Sequence, residues 1–83
     1  MQMKGIAGTL ESNDCLITVE TSDKLEIIIN SPVAYLYEDE IKKTILEVLK
    51  NEKQEKLKIV MEDKGALDYT IRARLIVAIR RMK

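Results

Sequence analysis

Ser12 is the residue whose type and setting best suit covalent chemistry. It follows Glu11 and precedes Asn13 and Asp14, within a run of turn-forming side chains. The chain has no histidine to activate a serine nucleophile. Ser12 therefore reads either as an attachment point for a covalent group or as an ordinary turn serine. A second group comprises Glu62, Asp63, Lys64 and Asp68. Its carboxylates suit a metal or a partner, or else simply end a strand and cap a helix. The third group is cationic: residues 68–83 hold Arg72, Arg74, Arg80, Arg81 and Lys83 against Asp68 alone, a net of +4. Such a helix can dock an acidic partner or a phosphate-bearing group. It can equally complement residues 1–37, where Lys4 and Lys24 stand against Glu11, Asp14, Glu20, Asp23 and Glu26, a net of −3. Cys15, inside a strand, reads as a small buried hydrophobe rather than a reactive thiol. Tyr35, Tyr37 and Tyr69 read as packing at the boundary between sheet and helices.

Composition narrows these options. The chain has 83 residues, 46% of them hydrophobic, which suits one folded domain over residues 1–83 with a thin core. The absence of His removes the commonest general base and the commonest zinc ligand. A single Cys cannot form an internal disulfide or a Cys-rich metal site. Zero net charge gives no electrostatic footprint for nucleic acid. No apolar run reaches signal-peptide or membrane-span length, so the expected compartment is the cytoplasm. A small reduced chain of this kind suggests a carrier, adaptor or subunit rather than a free-standing enzyme.

Apolar periodicity supplies the elements that must position these groups. Ile6, Gly8 and Leu10 alternate with Ala7, Thr9 and Glu11, a first strand. Ser12-Asn13-Asp14 breaks it, and Asn13 tolerates a positive φ there. Cys15, Ile17 and Val19 form a second alternation, and Leu25, Ile27 and Ile29 a third. Tight connections between the three predict an antiparallel meander. Ser31-Pro32 is a helix-entry signal. The stripe Ile41, Ile45, Val48 and Leu49 then predicts a helix, with Glu38, Asp39 and Glu40 in its first turn and Lys50 and Lys53 near its end. Leu57, Ile59 and Met61 alternate as a fourth strand. Asp68 is placed to cap a last helix, whose apolar stripe is Ile71, Leu75, Ala78, Ile79 and Met82. The fold expected is α+β: a two-layer sandwich of a four-stranded mixed sheet with both helices on one face. The third and fourth strands should pair in parallel through the helix between them.

At this point two blocks carry a resemblance. Ala7-Gly8-Thr9-Leu10-Glu11-Ser12-Asn13-Asp14 resembles the A-G-T-L-E-S-x-D signature of the citrate lyase acyl carrier protein family. Asp63-Lys64-Gly65-Ala66-Leu67-Asp68, followed by Ile71-Arg72-Ala73-Arg74-Leu75, resembles its second block, and Thr44-Ile45-Leu46-Glu47-Val48-Leu49 is also similar. Asn13 stands where relatives often have Gly or Ser. Ordinary phosphopantetheine carriers match poorly, since their serine opens a helix.

The resemblance implies a non-catalytic gamma subunit. Ser12 would carry a phosphoribosyl-dephospho-coenzyme A arm through a phosphodiester. The arm's thiol would hold acetyl and citryl thioesters and move between an acyl transferase (alpha) subunit and a citryl lyase (beta) subunit. A separate transferase would load it. Asp14, Asp63, Lys64, Asp68, Arg72 and Arg74 are the residues expected to dock partners or the arm's phosphates. Two alternatives are the carrier subunit of malonate decarboxylase, and an unmodified interaction module that docks through its basic helix.

Overall fold

A computed structural model describes residues 2–83. It contains β1 (Lys4–Gly8), β2 (Cys15–Thr21), β3 (Glu26–Asn30), α1 (Ala34–Asn51), β4 (Leu57–Asp63) and α2 (Asp68–Arg80). The strands form one mixed sheet in the order β1-β2-β4-β3. β1 and β4 each run antiparallel to β2, and β3 pairs parallel to β4. The expected meander therefore holds only for β1 and β2. β4 enters between β2 and β3. Leu57, Ile59 and Met61 are all fully buried, whereas β3 has no buried residue.

Register places one buried row above another. Ala7, Ile17 and Met61 lie side by side, as do Gly5, Val19 and Ile59. Ile45, Leu49, Leu75 and Ile79 of the two helices join these residues in one core. Both helices thus cover the same face, giving the expected two-layer α+β sandwich.

β1 presents its small residues to that core, with Ile6 left 46% exposed on the other face. The reason is the closeness of α2. A Cβ added at Gly5 would lie 1.9 Å from the carbonyl oxygen of Ala78. Only glycine fits beneath that helix, and size counts for more than hydrophobicity here. The chain end completes the edge: Lys4 and Lys83 exchange backbone hydrogen bonds of 3.0 and 3.1 Å.

α1 starts a turn earlier than expected. The Ser31 hydroxyl accepts from the Val33 N–H at 3.2 Å and donates to Asp63 at 2.8 Å. The helix then opens at Ala34, so Glu38, Asp39 and Glu40 fall beyond its first turn, which has no acidic residue. It ends at Asn51, so Lys53 lies outside it. The Lys53 N–H donates to the Lys50 carbonyl at 3.2 Å, and the Gln54 N–H to the Leu49 carbonyl at 2.9 Å. These two bonds close the helix with Lys53 at φ 57°. That left-handed position favours glycine. Lys53→Gly is expected to stabilise the fold by about 0.5–1 kcal/mol, raising the thermal midpoint by roughly 2–6 °C.

The tyrosines are not boundary packing. Tyr35, Tyr37 and Tyr69 are 82%, 49% and 70% exposed. Each precedes or flanks the core-facing stripe of its helix. No helix among the described residues is long and apolar enough to cross a membrane.

Candidate functional site

Ser12 lies at the crown of the connection between β1 and β2. Gly8, at φ 101°, turns the chain out of β1. The Asp14 N–H donates to the Glu11 carbonyl at 3.2 Å, closing a four-residue turn with Ser12 and Asn13 in its centre. Asn13 adopts φ 65°, the left-handed conformation that asparagine tolerates. Ser12 is exposed, and its hydroxyl makes no hydrogen bond among the described residues.

The turn is braced from three directions. Asp14 Oδ1 accepts from Arg74 Nε at 3.0 Å and from the Cys15 N–H at 2.7 Å. Its Oδ2 accepts from Arg74 Nη2 at 2.8 Å and from the Thr9 hydroxyl at 2.7 Å. The Thr9 oxygen in turn accepts from the Glu11 N–H at 3.1 Å. From beneath, the Asn13 N–H donates to the Lys64 carbonyl at 2.8 Å, and the Lys64 N–H to the Asp14 carbonyl at 2.9 Å. The Arg74 pair, then the Thr9 and Cys15 donors, hold the Asp14 carboxyl well below the usual carboxylate range. Arg74 is raised in turn by Asp14. A bidentate guanidinium–carboxylate pair fixes angle as well as distance. A rigid turn with an unengaged hydroxyl at its tip suits covalent attachment of a large group, because nothing among the described residues competes for that oxygen.

The other residues singled out in the sequence divide clearly. Asp63 is only 3% exposed and organises its own loop. It accepts from the Gly65 and Ala66 N–H groups at 3.1 and 2.9 Å and from Ser31. Glu62 accepts from Asn30 at 2.8 Å. Asp68 makes no cap hydrogen bond, since the cap position is Leu67. Its carboxylate receives Arg72 Nε at 2.6 Å and the Thr44 hydroxyl, tying α2 to α1. These contacts, Arg72 first, lower its pKa. Arg72 also reaches Glu47 at 2.9 Å. Arg72 and Arg74 are thus both engaged within the chain, and Asp14, Lys64 and Arg74 are the three that meet at the Ser12 turn. Lys64 is exposed and forms no ion pair among the described residues.

In the sequence Thr9 stands only as part of the first strand and the first signature block, with no role of its own. Its spacing of five from Asp14 across a turn is the only local sign of its role. Cys15 behaves as expected: it is fully buried, and burial, with the nearby Asp14 and Asp63 charges, pushes its thiol up to about 12.

A family profile described as "Malonate decarboxylase delta subunit (MdcD)" matches residues 2–82. The citrate lyase acyl carrier protein of Treponema denticola is 47% identical over 83 residues, covering 98% of this chain and 95% of that protein. The citrate lyase acyl carrier protein of Haemophilus influenzae is 42% identical over 76 residues, covering 92% and 80%. That of Pectobacterium atrosepticum is 40% identical over 79 residues, covering 94% and 82%. With these matches running along nearly its whole length, the chain belongs to the citrate lyase acyl carrier protein family.

Proposed function

We propose that this protein is the acyl carrier subunit of a citrate lyase complex, with Ser12 as the covalent anchor of a phosphoribosyl-dephospho-coenzyme A arm. The observation that carries the reading is the unengaged Ser12 hydroxyl at the tip of a turn braced by Asp14, Arg74 and the Lys64 backbone. When attached, the arm supplies a thiol that holds acetyl and citryl groups as thioesters and carries them between the transferase and lyase subunits. The chain's own part is to present, hold and dock. The Ser12 oxygen would attack a phosphoanhydride precursor of the arm, the P–O bond to the departing polyphosphate would break, and the oxygen would become one ester oxygen of the phosphodiester. With no histidine in the chain, the base that takes its proton belongs to the loading transferase. The rigid turn keeps the anchor in one place while the arm moves, and tethering allows weak docking at each partner. The setting is the cytoplasm.

Intact mass tests the reading. Protein co-expressed with its loading enzymes should gain one arm mass, and Ser12→Ala should gain none. Wild type that stays at the bare polypeptide mass beside active loading enzymes would overturn it.

Lys64 supports the docking part. Its backbone holds the turn, and its ammonium forms no ion pair among the described residues, so it is a cation at the turn available to an anionic arm or partner. Lys64→Glu is expected to slow loading about fivefold while leaving the thermal midpoint unchanged. Arg72→Glu and Arg74→Glu should weaken loading or assembly as well, but together with stability.

The family profile's description favours one second reading, the carrier of malonate decarboxylase. Citrate-dependent against malonate-dependent turnover by the assembled complex separates the two.

A further inference from the structure

A groove of about 390 Å³ opens between the start of α1, the start of α2 and the loop that joins β4 to α2. Its apolar wall includes Tyr37, Ile41, Leu67 and Ile71. Its polar lining includes Glu40, Asp63 and Asp68, and no Lys or Arg among the described residues. Asp63 is satisfied by loop N–H groups and Ser31, and Asp68 by Arg72 and Thr44. Glu40 makes no ion pair among the described residues, so the lining is negative.

The groove and the Ser12 turn share a wall. Lys64 clasps Asn13 and Asp14 through its backbone, while its neighbours Asp63, Gly65 and Ala66 line the groove. Gly65 has no side chain to stand between them. The position its Cβ would occupy is 3.6 Å from Asn13 Oδ1. At Gly65 the wall between the Ser12 turn and the groove carries no side chain of its own, and the Asn13 amide oxygen is the nearest atom outside the adjoining residues to that open position.

We infer that this groove shelters the far, neutral end of the Ser12 arm in its thiol and acetyl states and rejects it in the citryl state. The inference rests on Ser12 carrying the arm. The volume is within the range of small-ligand sites, roughly 300–1,000 Å³. The arm's phosphates would be repelled by the acidic lining, so only its uncharged end suits the groove. An acetyl thioester brings no charge, so burying it against Tyr37, Ile41 and Leu67 is favourable. A citryl group brings carboxylates toward Glu40 in a groove with no cation, which is repulsive. Because the arm is tethered, even a weak preference sets the occupancy. The groove would thus retain the resting acyl form and release the form that the lyase subunit must receive.

The test uses loaded full-length protein, with the arm confirmed by intact mass. Its thiolate displaces iodide from iodoacetamide or from iodoacetate, giving two thioethers of nearly equal size. One end is neutral and the other anionic. Cys15, fully buried with its thiol pushed up to about 12, stays unmodified. Relative to the unloaded chain, the neutral end should shift the backbone amide resonances of Tyr37, Ile41, Ala66 and Leu67. The anionic end should shift them about fivefold less. Leu67→Glu, at an exposed position of the wall, should abolish the neutral-end shifts, whereas Tyr69→Ala, outside the groove, should not. A loaded chain whose groove amides ignore both ends, or respond to both equally, overturns the inference and leaves the carrier reading standing. A chain that gains no arm on Ser12 overturns both.

Discussion

Gly5→Ala is expected to lower the thermal midpoint by at least about 10 °C and to disturb the Ser12 turn as well. The methyl group would be built 1.9 Å from the Ala78 carbonyl oxygen and 2.9 Å from the Met82 nitrogen. Both obstacles are backbone, so no rotamer change relieves the overlap, and α2 must retreat by about 1 Å or more. Overpacking of a core commonly costs about 1–3 kcal/mol, and backbone on the receiving side puts this site at the upper end. Arg74 is one helical turn before Ala78 on the same helix. Lifting that turn draws the guanidinium away from Asp14. Thermal melts measure the first effect, and hydrogen exchange at the Asn13 and Lys64 amides the second. A variant that melts within 2 °C of wild type, roughly the resolution of a small stability change, would show that the contact between β1 and α2 is looser than described.

Arg74→Leu is expected to cut loading of Ser12 by about tenfold or more, because one interaction orients the whole turn. Asp14 would keep the Thr9 and Cys15 donors but lose the two guanidinium bonds of 3.0 and 2.8 Å. Arg74→Lys should rescue little, since an ammonium cannot reproduce the fork. Asp14→Asn should resemble Arg74→Leu, and the double variant should be no worse than either single one. The same pair shapes the acid response. The folded Asp14 carboxyl is depressed mainly by Arg74, so its contribution to stability is present above the unfolded carboxylate value, near 4. It is lost as pH falls through that value toward the folded one. Asp68 and Glu52 are lowered in the same direction by Arg72 and Arg80. With no histidine, stability should be flat from about pH 8 to 5 and fall below about pH 4. In Asp14→Asn the fall should be shallower. Urea midpoints across that range measure it.

Much of the fold was legible because alternation and helical stripes report burial directly. Cys15, Ile17 and Val19, the β4 set, and Ile41, Ile45, Val48 and Leu49 are all buried as their spacing implies. Strand order was not legible, because turn residues speak only for neighbours in sequence. Nothing local reveals that β4 separates β2 from β3. The packing face of β1 was hidden by the same limit: Gly5 and Ala7 look unremarkable until α2 is laid over them. At the site, Ser12, Asn13 and Asp14 announced a turn, and the opposite net charges of the two chain ends hinted at attraction. What charge balance could not show is that one arginine 60 positions away would grip Asp14 with both arms of its fork. Arg72 and Arg80, of the same composition, instead tie α2 to Glu47 in α1 and to Glu52 just past its end.

The central position of β4 has a consequence for how the protein is made. While the chain emerges from the ribosome, residues 1–56 can form only the β1–β2 hairpin and an unsupported β3 and α1. The sheet closes when β4 arrives to pair with both β2 and β3. The Ser12 turn comes later still, since it waits for the Lys64 backbone and then for Arg74. Ser12, synthesised well before its braces, is therefore assembled into its turn only after Lys64 and Arg74 have emerged. On the proposed role of Ser12, a loading enzyme that reads the shaped turn, and not merely the sequence around it, would modify only chains in which Lys64 and Arg74 are already in place.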